Sequence, residues 1–244
     1  MPAPKKAPAA CLIGWPAAHS RSPIIHHHWL HHSGIEGGYS IEAVPPEGFA
    51  EFVQNLSRHG FVGANVTIPH KERALLLTEP DERARAVGAA NTLWYDGDTL
   101  RSTNTDIEGF INNLDACAPG WDPCEDAVVL GAGGSSRAVV FGLLERSVGR
   151  VHLVNRTAGR ARALADQFGA RVSPRGWEAL GELLPRAQLL VNTTSLGMKG
   201  QPALEIDVGL LPAEAVVADL VYVPLETALL AAARSRGLRV ADGL

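Results

Sequence analysis

Val128-Val129-Leu130-Gly131-Ala132-Gly133-Gly134-Ser135-Ser136-Arg137 reads as a buried strand, a glycine turn and the start of a helix. The apolar-patterned run Ala138 to Leu144 continues that helix. Strand, glycine turn and helix in this order form a dinucleotide fingerprint. Gly131 permits the tight turn, and Gly133 lets the backbone approach a pyrophosphate. The helix N-terminus offers unpaired N–H groups and a positive dipole end to the phosphates. The third small position of the pattern is Ser136 rather than Gly. A glycine loop can equally be a plain turn, but the flanking strand and helix favour the nucleotide reading.

Strands and helices alternate downstream of this stretch. Val151 to Val154 reads as a strand, Arg160 to Phe168 as a helix, and Trp177 to Leu184 as another. Leu189 to Val191, Val216 to Asp219 and Leu238 to Val240 read as strands, with a helix over Leu225 to Ser235. This rhythm predicts right-handed βαβ units on a parallel sheet. Ala118 to Asp126, rich in Pro, Gly and Asp, is the predicted domain boundary. It separates residues 1–117 from a Rossmann-like, doubly wound domain over 118–244.

The second strand of that domain ends Val154-Asn155-Arg156-Thr157, with no acid to bond a ribose 2′-hydroxyl. Arg156 and Arg160 stand four apart at a helix start, where two guanidinium groups suit a 2′-phosphate. Both features predict NADP rather than NAD.

Upstream, Cys11 to Gly14 reads as a strand, and Pro23 suits the first turn of a helix running towards Ser33-Gly34. Ser20 and Ser22 lie just before it. One serine suffices as a cap, so the second is a candidate hydroxyl donor to an anion. Tyr39 to Val44 reads as a strand, and Phe49, Phe52, Val53 and Leu56 fall at helical spacing. Phe61 to Thr67 is a third strand, which delivers Asn65 and Thr67 to its carboxyl end, where open α/β sheets bind ligands. Ile68-Pro69-His70-Lys71 opens the next helix. The helix dipole opposes a cation there, which favours a functional Lys71 over a merely solvated one. Asp81 to Val87 reads as a short helix, and Asp96-Gly97 is a hairpin signal between Ala90–Tyr95 and Thr99–Ser102. Asn104-Thr105-Asp106 opens a helix through Leu114, with capping and functional readings of Asp106 evenly balanced.

The chain has 244 residues, 46% of them apolar, with a formal net charge of −4. These values describe an ordinary globular protein and give no reason to expect a nucleic-acid partner. No apolar run is long enough to span a bilayer. Lys5 and Lys6 precede Ala9 to Ile13, but Pro8, Gly14 and Pro16 interrupt any signal-peptide core, so an unstructured lead-in and a cytoplasmic location are expected. Cys11, Cys117 and Cys124 are odd in number and lack metal-ligand spacing, as reduced thiols do. His26, His27, His28, His31 and His32 look like a zinc site or an affinity tag, but the cluster is neither contiguous nor terminal and has no clear third ligand or intervening glutamate; a solvated helix and no metal are expected.

Taken together, these residues resemble the shikimate dehydrogenase family over nearly the whole chain. The resemblance is carried by Gly14 to Pro23, Asn65 to Lys71, Gly88 to Thr92, Asn104 to Asp106, Gly131 to Arg137, Asn155 to Thr157, Asn192 to Met198 and Asp219 to Pro224, in that order. It implies an N-terminal α/β substrate domain on a small mixed sheet, and reduction of 3-dehydroshikimate to shikimate by NADP(H). It implies that Lys71 and Asp106 are the catalytic pair. Ser20 and Ser22, with Tyr222, would hold the substrate carboxylate, and Asn65, Thr67, Asn91 and Asp106 would bind ring hydroxyls. Gly131, Ala132, Gly133, Gly134, Ser135, Asn155, Arg156, Thr157, Arg160, Thr194, Leu220 and Gly243 would line the cofactor, with Glu82 near it. The alternatives are an NAD-dependent quinate/shikimate dehydrogenase and a catalytically silent NADPH-binding paralogue. A homodimer is compatible with the sequence. The family continues past the equivalent of Asp242-Gly243-Leu244 with a Gly-Met-Leu segment, a substrate-touching glutamine and a closing helix, so a truncated form is expected here. Ile107-Glu108 also stands where the family often has Gly.

Overall fold

A computed structural model describes residues 7–244. The lead-in containing Lys5 and Lys6 lies outside the described residues. The chain divides into two compact units, one ending at Thr105 and one running from Asp106 to Leu244.

The first unit comprises β1 (Ala9–Gly14), α1 (Ser22–His32), β2 (Gly38–Ala43), α2 (Phe49–Gln54) and β3 (Phe61–Val66), then α3 (Lys71–Leu76), β4 (Glu79–Pro80), α4 (Glu82–Val87), β5 (Thr92–Asp96) and β6 (Thr99–Thr103). Its sheet runs β2-β1-β3-β5-β6-β4. β1 is parallel to β2 and β3, while β3–β5 and β5–β6 are antiparallel. The sheet is therefore mixed, as the resemblance implied. The period-two alternation of β1 explains its two-sided burial. Cys11 and Ile13 meet Phe49, Val53 and Leu56 on one face, and Leu12 meets Tyr39 and Ala17 on the other. Gly97 takes φ +60 in the β5–β6 turn, a conformation glycine adopts without steric cost. β4 escaped the sequence reading because two residues, one of them Pro80, carry no alternation.

The second unit comprises α5 (Asp106–Cys117), β7 (Asp126–Leu130), α6 (Gly134–Glu145), β8 (Arg150–Val154), α7 (Ala158–Phe168) and β9 (Val172–Arg175), then α8 (Leu180–Leu183), β10 (Leu189–Asn192), β11 (Val216–Asp219), α9 (Ala228–Ser235) and β12 (Arg239–Ala241). Its strands are all parallel, in the order β9-β8-β7-β10-β11-β12. β7 is the first strand of the unit, so this is the doubly wound order 3-2-1-4-5-6, with its switch point between β7 and β10. Ala127 and Val129 pack with Leu114, Leu143 and Leu164 of α5, α6 and α7. Val128 and Leu130 pack with Leu183, Leu229 and Leu230 of α8 and α9. Burial on both faces explains why β7 reads as a continuous apolar run.

One strand and the boundary between the units differ from the sequence reading. β9 was not anticipated. It is a short edge strand containing Pro174, and an edge is where a sheet tolerates proline. The units part at Thr105/Asp106, ahead of the Pro/Gly/Asp-rich stretch, because α5 packs on α6. A Cβ on Gly142 would lie 2.9 Å from Ile111 Cγ1, so that glycine sets the close approach of the two helices. Composition marks the loop after α5, whereas packing assigns α5 itself to the second unit.

Candidate active site

In the first unit, the candidates gather at the carboxyl ends of β1 and β3 and at the starts of α1 and α3. A Cβ on Gly14 would fall 2.4 Å from Thr67 Cγ2, so glycine is what lets the two strand ends meet. The Thr67 N–H donates to the Ile13 carbonyl at 2.9 Å. Ser20 Oγ accepts from the Ser22 N–H at 3.2 Å and donates to Ser22 Oγ at 3.1 Å. Ser20 thus closes a local turn onto Ser22, the first residue of α1, while pairing with its hydroxyl; the N-cap of α1 is Arg21, which makes no side-chain cap bond.

Asn65 is fixed from both sides. Its Oδ1 accepts from the Tyr39 hydroxyl at 2.7 Å, and its Nδ2 donates to Thr92 Oγ1 at 3.2 Å. Thr92 in turn donates to Asn91 Oδ1 at 3.0 Å, which also accepts from the Thr105 N–H at 3.0 Å. Tyr39, Asn65, Thr92, Asn91 and Thr105 therefore form one hydrogen-bonded chain. The sequence reading missed Tyr39, Thr92 and His26, whose ring stacks on Tyr39 at 3.9 Å and 5°. Tyr39 looked like an ordinary strand aromatic, and only the β1–β2 register places it opposite Ala10 and beside this chain. Burial raises the Tyr39 phenol above its usual range and lowers His26.

Lys71 is half-buried at the first residue of α3. The residue before it anchors the turn. His70 is buried, stacks on Phe49 at 4.2 Å and bonds the Val44 carbonyl through Nε2 at 2.7 Å. The Lys71 carbonyl accepts the Ala90 N–H at 2.9 Å, which ties the helix start to the residue preceding Asn91. Glu82 is exposed on the first turn of α4, and its carboxylate makes no hydrogen bond or ion pair among the described residues. The cap of α4 is Asp81, which accepts from the Ala84 N–H at 2.8 Å.

In the second unit, Asp106 is half-buried and opens α5, where the dipole favours a carboxylate. Gly131 has φ +105, and a Cβ there would fall 2.7 Å from Thr193 Oγ1. Ser136, in the pattern's third small position, is fully buried and locks the turn. Its Oγ accepts from the Gly133 N–H at 3.1 Å and lies 2.5 Å from Thr193 Oγ1, which donates to the Leu130 carbonyl. A Cβ on Gly133 would meet nothing within 4 Å. The turn thus presents an open backbone face at the start of α6, with Ala132, Gly134 and Ser135 around it and no acid in the first turn.

Beyond β8, Asn155 Nδ2 bonds the Thr157 carbonyl at 2.9 Å. Arg156 and Arg160 are exposed without an ion pair among the described residues, and the first turn of α7 carries no acid. An open glycine turn plus two unneutralised guanidinium groups fits a dinucleotide with a 2′-phosphate. Thr194 spends its hydroxyl internally, donating to Asn192 Oδ1 at 2.7 Å and accepting from the Leu196 N–H at 3.0 Å. Gly243 lies against Leu220, whose carbonyl oxygen would be 2.5 Å from an added Cβ. Tyr222 is half-buried in the loop after β11.

Among the described residues, no group of three metal-ligating side chains forms, and no helix is long and apolar enough to cross a membrane. His28 and His32 stack at 6.0 Å on α1. The three cysteines are free, and burial pushes the Cys11 thiol up to about 12 and the Cys124 thiol up to about 11, away from nucleophilic use.

Residues 12–93 match the family model of the shikimate dehydrogenase substrate binding domain, and residues 123–198 that of shikimate / quinate 5-dehydrogenase. A shikimate dehydrogenase (NADP(+)) of Rhodopseudomonas palustris strain BisB18 is 78% identical over 97% of this chain and 85% of its own length. The chain belongs to the shikimate dehydrogenase family. Among solved shikimate dehydrogenases, that of Thermus thermophilus in complex with NADP(H) and shikimate is 38% identical, with a TM-score of 0.85 over 97% of this chain and 87% of its own. The quinate dehydrogenase of Corynebacterium glutamicum in complex with NAD is 29% identical, with a TM-score of 0.86 over 97% and 88%. The fold of this shikimate dehydrogenase family member is thus shared with both cofactor classes, and the distinction between them falls to side chains.

Proposed function

We propose that this protein interconverts 3-dehydroshikimate and shikimate with NADP(H), with Lys71 and Asp106 as the catalytic pair. The reading is supported above all by one observation: the Lys71 carbonyl accepts the Ala90 N–H, tying the start of α3 to the residue before Asn91 in a chain of fixed amide and hydroxyl groups. That is the equipment for a polyhydroxylated ring bearing a ketone.

NADPH, when bound, supplies the hydride. The Lys71 ammonium stabilises charge developing on the ketone oxygen and holds the proton that neutralises it at Nζ. The Asp106 carboxylate accepts a hydrogen bond from a ring hydroxyl. Ser20 and Ser22, with Tyr222, donate to the substrate carboxylate, and Asn65, Thr67 and Asn91 bind hydroxyls. Gly131 to Ser135 receive the pyrophosphate, and Arg156 and Arg160 the 2′-phosphate, with Asn155 and Thr157 shaping that turn. Thr194, Leu220 and Gly243 would line the rest of the cofactor. Three free thiols suit a reducing, cytoplasmic compartment.

NAD-dependent turnover of quinate is the second reading. The absence of an acid after β8 weighs against it. Incubation of the protein with 3-dehydroshikimate and NADPH, followed by chromatography, tests the proposal. It predicts shikimate as product with wild type and, at the same early time, about a hundredfold less or lower still with Lys71→Ala; equal initial yields from the two would remove Lys71 from the reaction.

A further inference from the structure

Asp219 ends β11 and is 1% exposed. Its Oδ1 accepts from Asn192 Nδ2 at 2.9 Å and from the Val221 N–H at 3.0 Å. Its Oδ2 accepts from the Thr227 hydroxyl at 2.7 Å. Thr227 is the cap of α9, where its oxygen takes the Leu230 N–H at 3.3 Å. Asn192, fully buried at the end of β10, extends the network. Its Nδ2 also bonds the Leu196 carbonyl at 3.2 Å, and its Oδ1 accepts both the N–H and the hydroxyl of Thr194. One carboxylate therefore holds the loop after β10, the loop after β11 and the start of α9.

The Asn192 amide and the Val221 N–H can only donate, and the Thr227 hydroxyl, whose oxygen already takes the Leu230 N–H, directs its proton at Oδ2. An amide there would turn an N–H towards the Thr227 oxygen and force that hydroxyl to turn its proton elsewhere. Burial pushes the Asp219 carboxyl up, against the pull of its three donors. A group so costly to bury calls for a role beyond filling space.

The position of the network supplies that role. In a 3-2-1-4-5-6 sheet the two mononucleotide halves of a dinucleotide lie on either side of the switch point. The adenosine half belongs to the side of β7 and β8, where Arg156 and Arg160 stand. The nicotinamide half then belongs to the ends of β10 and β11, whose loops carry Thr194 and Leu220.

We propose that Asp219 is a positioning residue for the nicotinamide half of the cofactor, acting through the Thr194 and Leu220 loops and not on the adenosine 2′-phosphate half. The proposal rests on the NADP reading given above. Its test uses two ligands on the same proteins: NADPH, followed by its fluorescence, and 2′,5′-ADP, followed by calorimetry. For Asp219→Asn, the Kd for NADPH is expected to rise about tenfold or more, while that for 2′,5′-ADP stays within about twofold. Thr227→Val removes one donor and keeps the carboxylate, and gives the same pattern at smaller amplitude; it decides the matter if Asp219→Asn does not fold. Unchanged binding of both ligands, or equal weakening of both, overturns the proposal. Failure of the wild type to bind either ligand would instead overturn the NADP reading.

Discussion

Tyr39 donates its hydroxyl to Oδ1 of Asn65 at 2.7 Å, and the Asn65 amide is thereby oriented with its nitrogen towards Thr92. Tyr39→Phe keeps the ring and its stacking on His26 but removes that donor. A lost hydrogen bond of this kind is worth about 0.5–1.5 kcal/mol, so the KM for shikimate should rise up to about tenfold with kcat changed less. Steady-state kinetics at saturating NADP+ measures it. An unchanged KM would show that the Asn65 orientation is not used.

Lys71→Ala should lower kcat on the order of 10² to 10⁴-fold, the range for losing a general acid, with a small change in KM. The opposite split, a large rise in KM with kcat intact, would make Lys71 a binding group only.

Gly133→Ala separates folding from cofactor binding. Its φ of −106° suits any residue, and its Cβ enters open space. The unliganded variant should melt within a degree or two of wild type, since strain-free surface changes cost little. Calorimetry should nonetheless find weaker NADP+ binding, because the methyl group occupies the face offered to the pyrophosphate. By contrast, Gly131→Ala should destabilise the unliganded protein, being strained at φ +105° and pressed on Thr193.

Three histidines set an acid limit on stability. Burial lowers His26, His70 and His152 from their ordinary 6.5 in the folded state. Below 6.5 the unfolded chain therefore binds more protons than the native one, and stability must fall as pH drops. It is complete above about pH 6.5. Thermal melts between neutral and mildly acid pH should show the decline, and His70→Gln should flatten it.

Much of the second unit was legible in the sequence because its strands are buried on both faces and punctuated by glycine. Val128 to Leu130 announces itself as a core strand, and Gly131 as a turn. The lost pieces are those whose place is decided by neighbours. β9 pairs only at an edge and contains a proline, so no local pattern marks it. α5 belongs to the second unit through Gly142, far away in sequence. At the site, Lys71 stood out because a lysine opposes the dipole of the helix it opens. Tyr39 and Thr92 did not, since their value lies in hydrogen bonds across three strands. Ser136 seemed a weakness of the glycine pattern and proves to be the lock of the turn.

In the function proposed for this shikimate dehydrogenase family member, Arg156 and Arg160 would set the choice of NADP over NAD. The most direct measurement of that choice is kcat/KM with shikimate for NADP+ and for NAD+, in wild type and in Arg156→Ala. A preference for NADP+ of at least about a hundredfold is expected in wild type, reduced by about tenfold or more when one charge-assisted contact worth about 1.5–3 kcal/mol is removed. Equal use of the two cofactors by wild type, or faster turnover with NAD+, would contradict it.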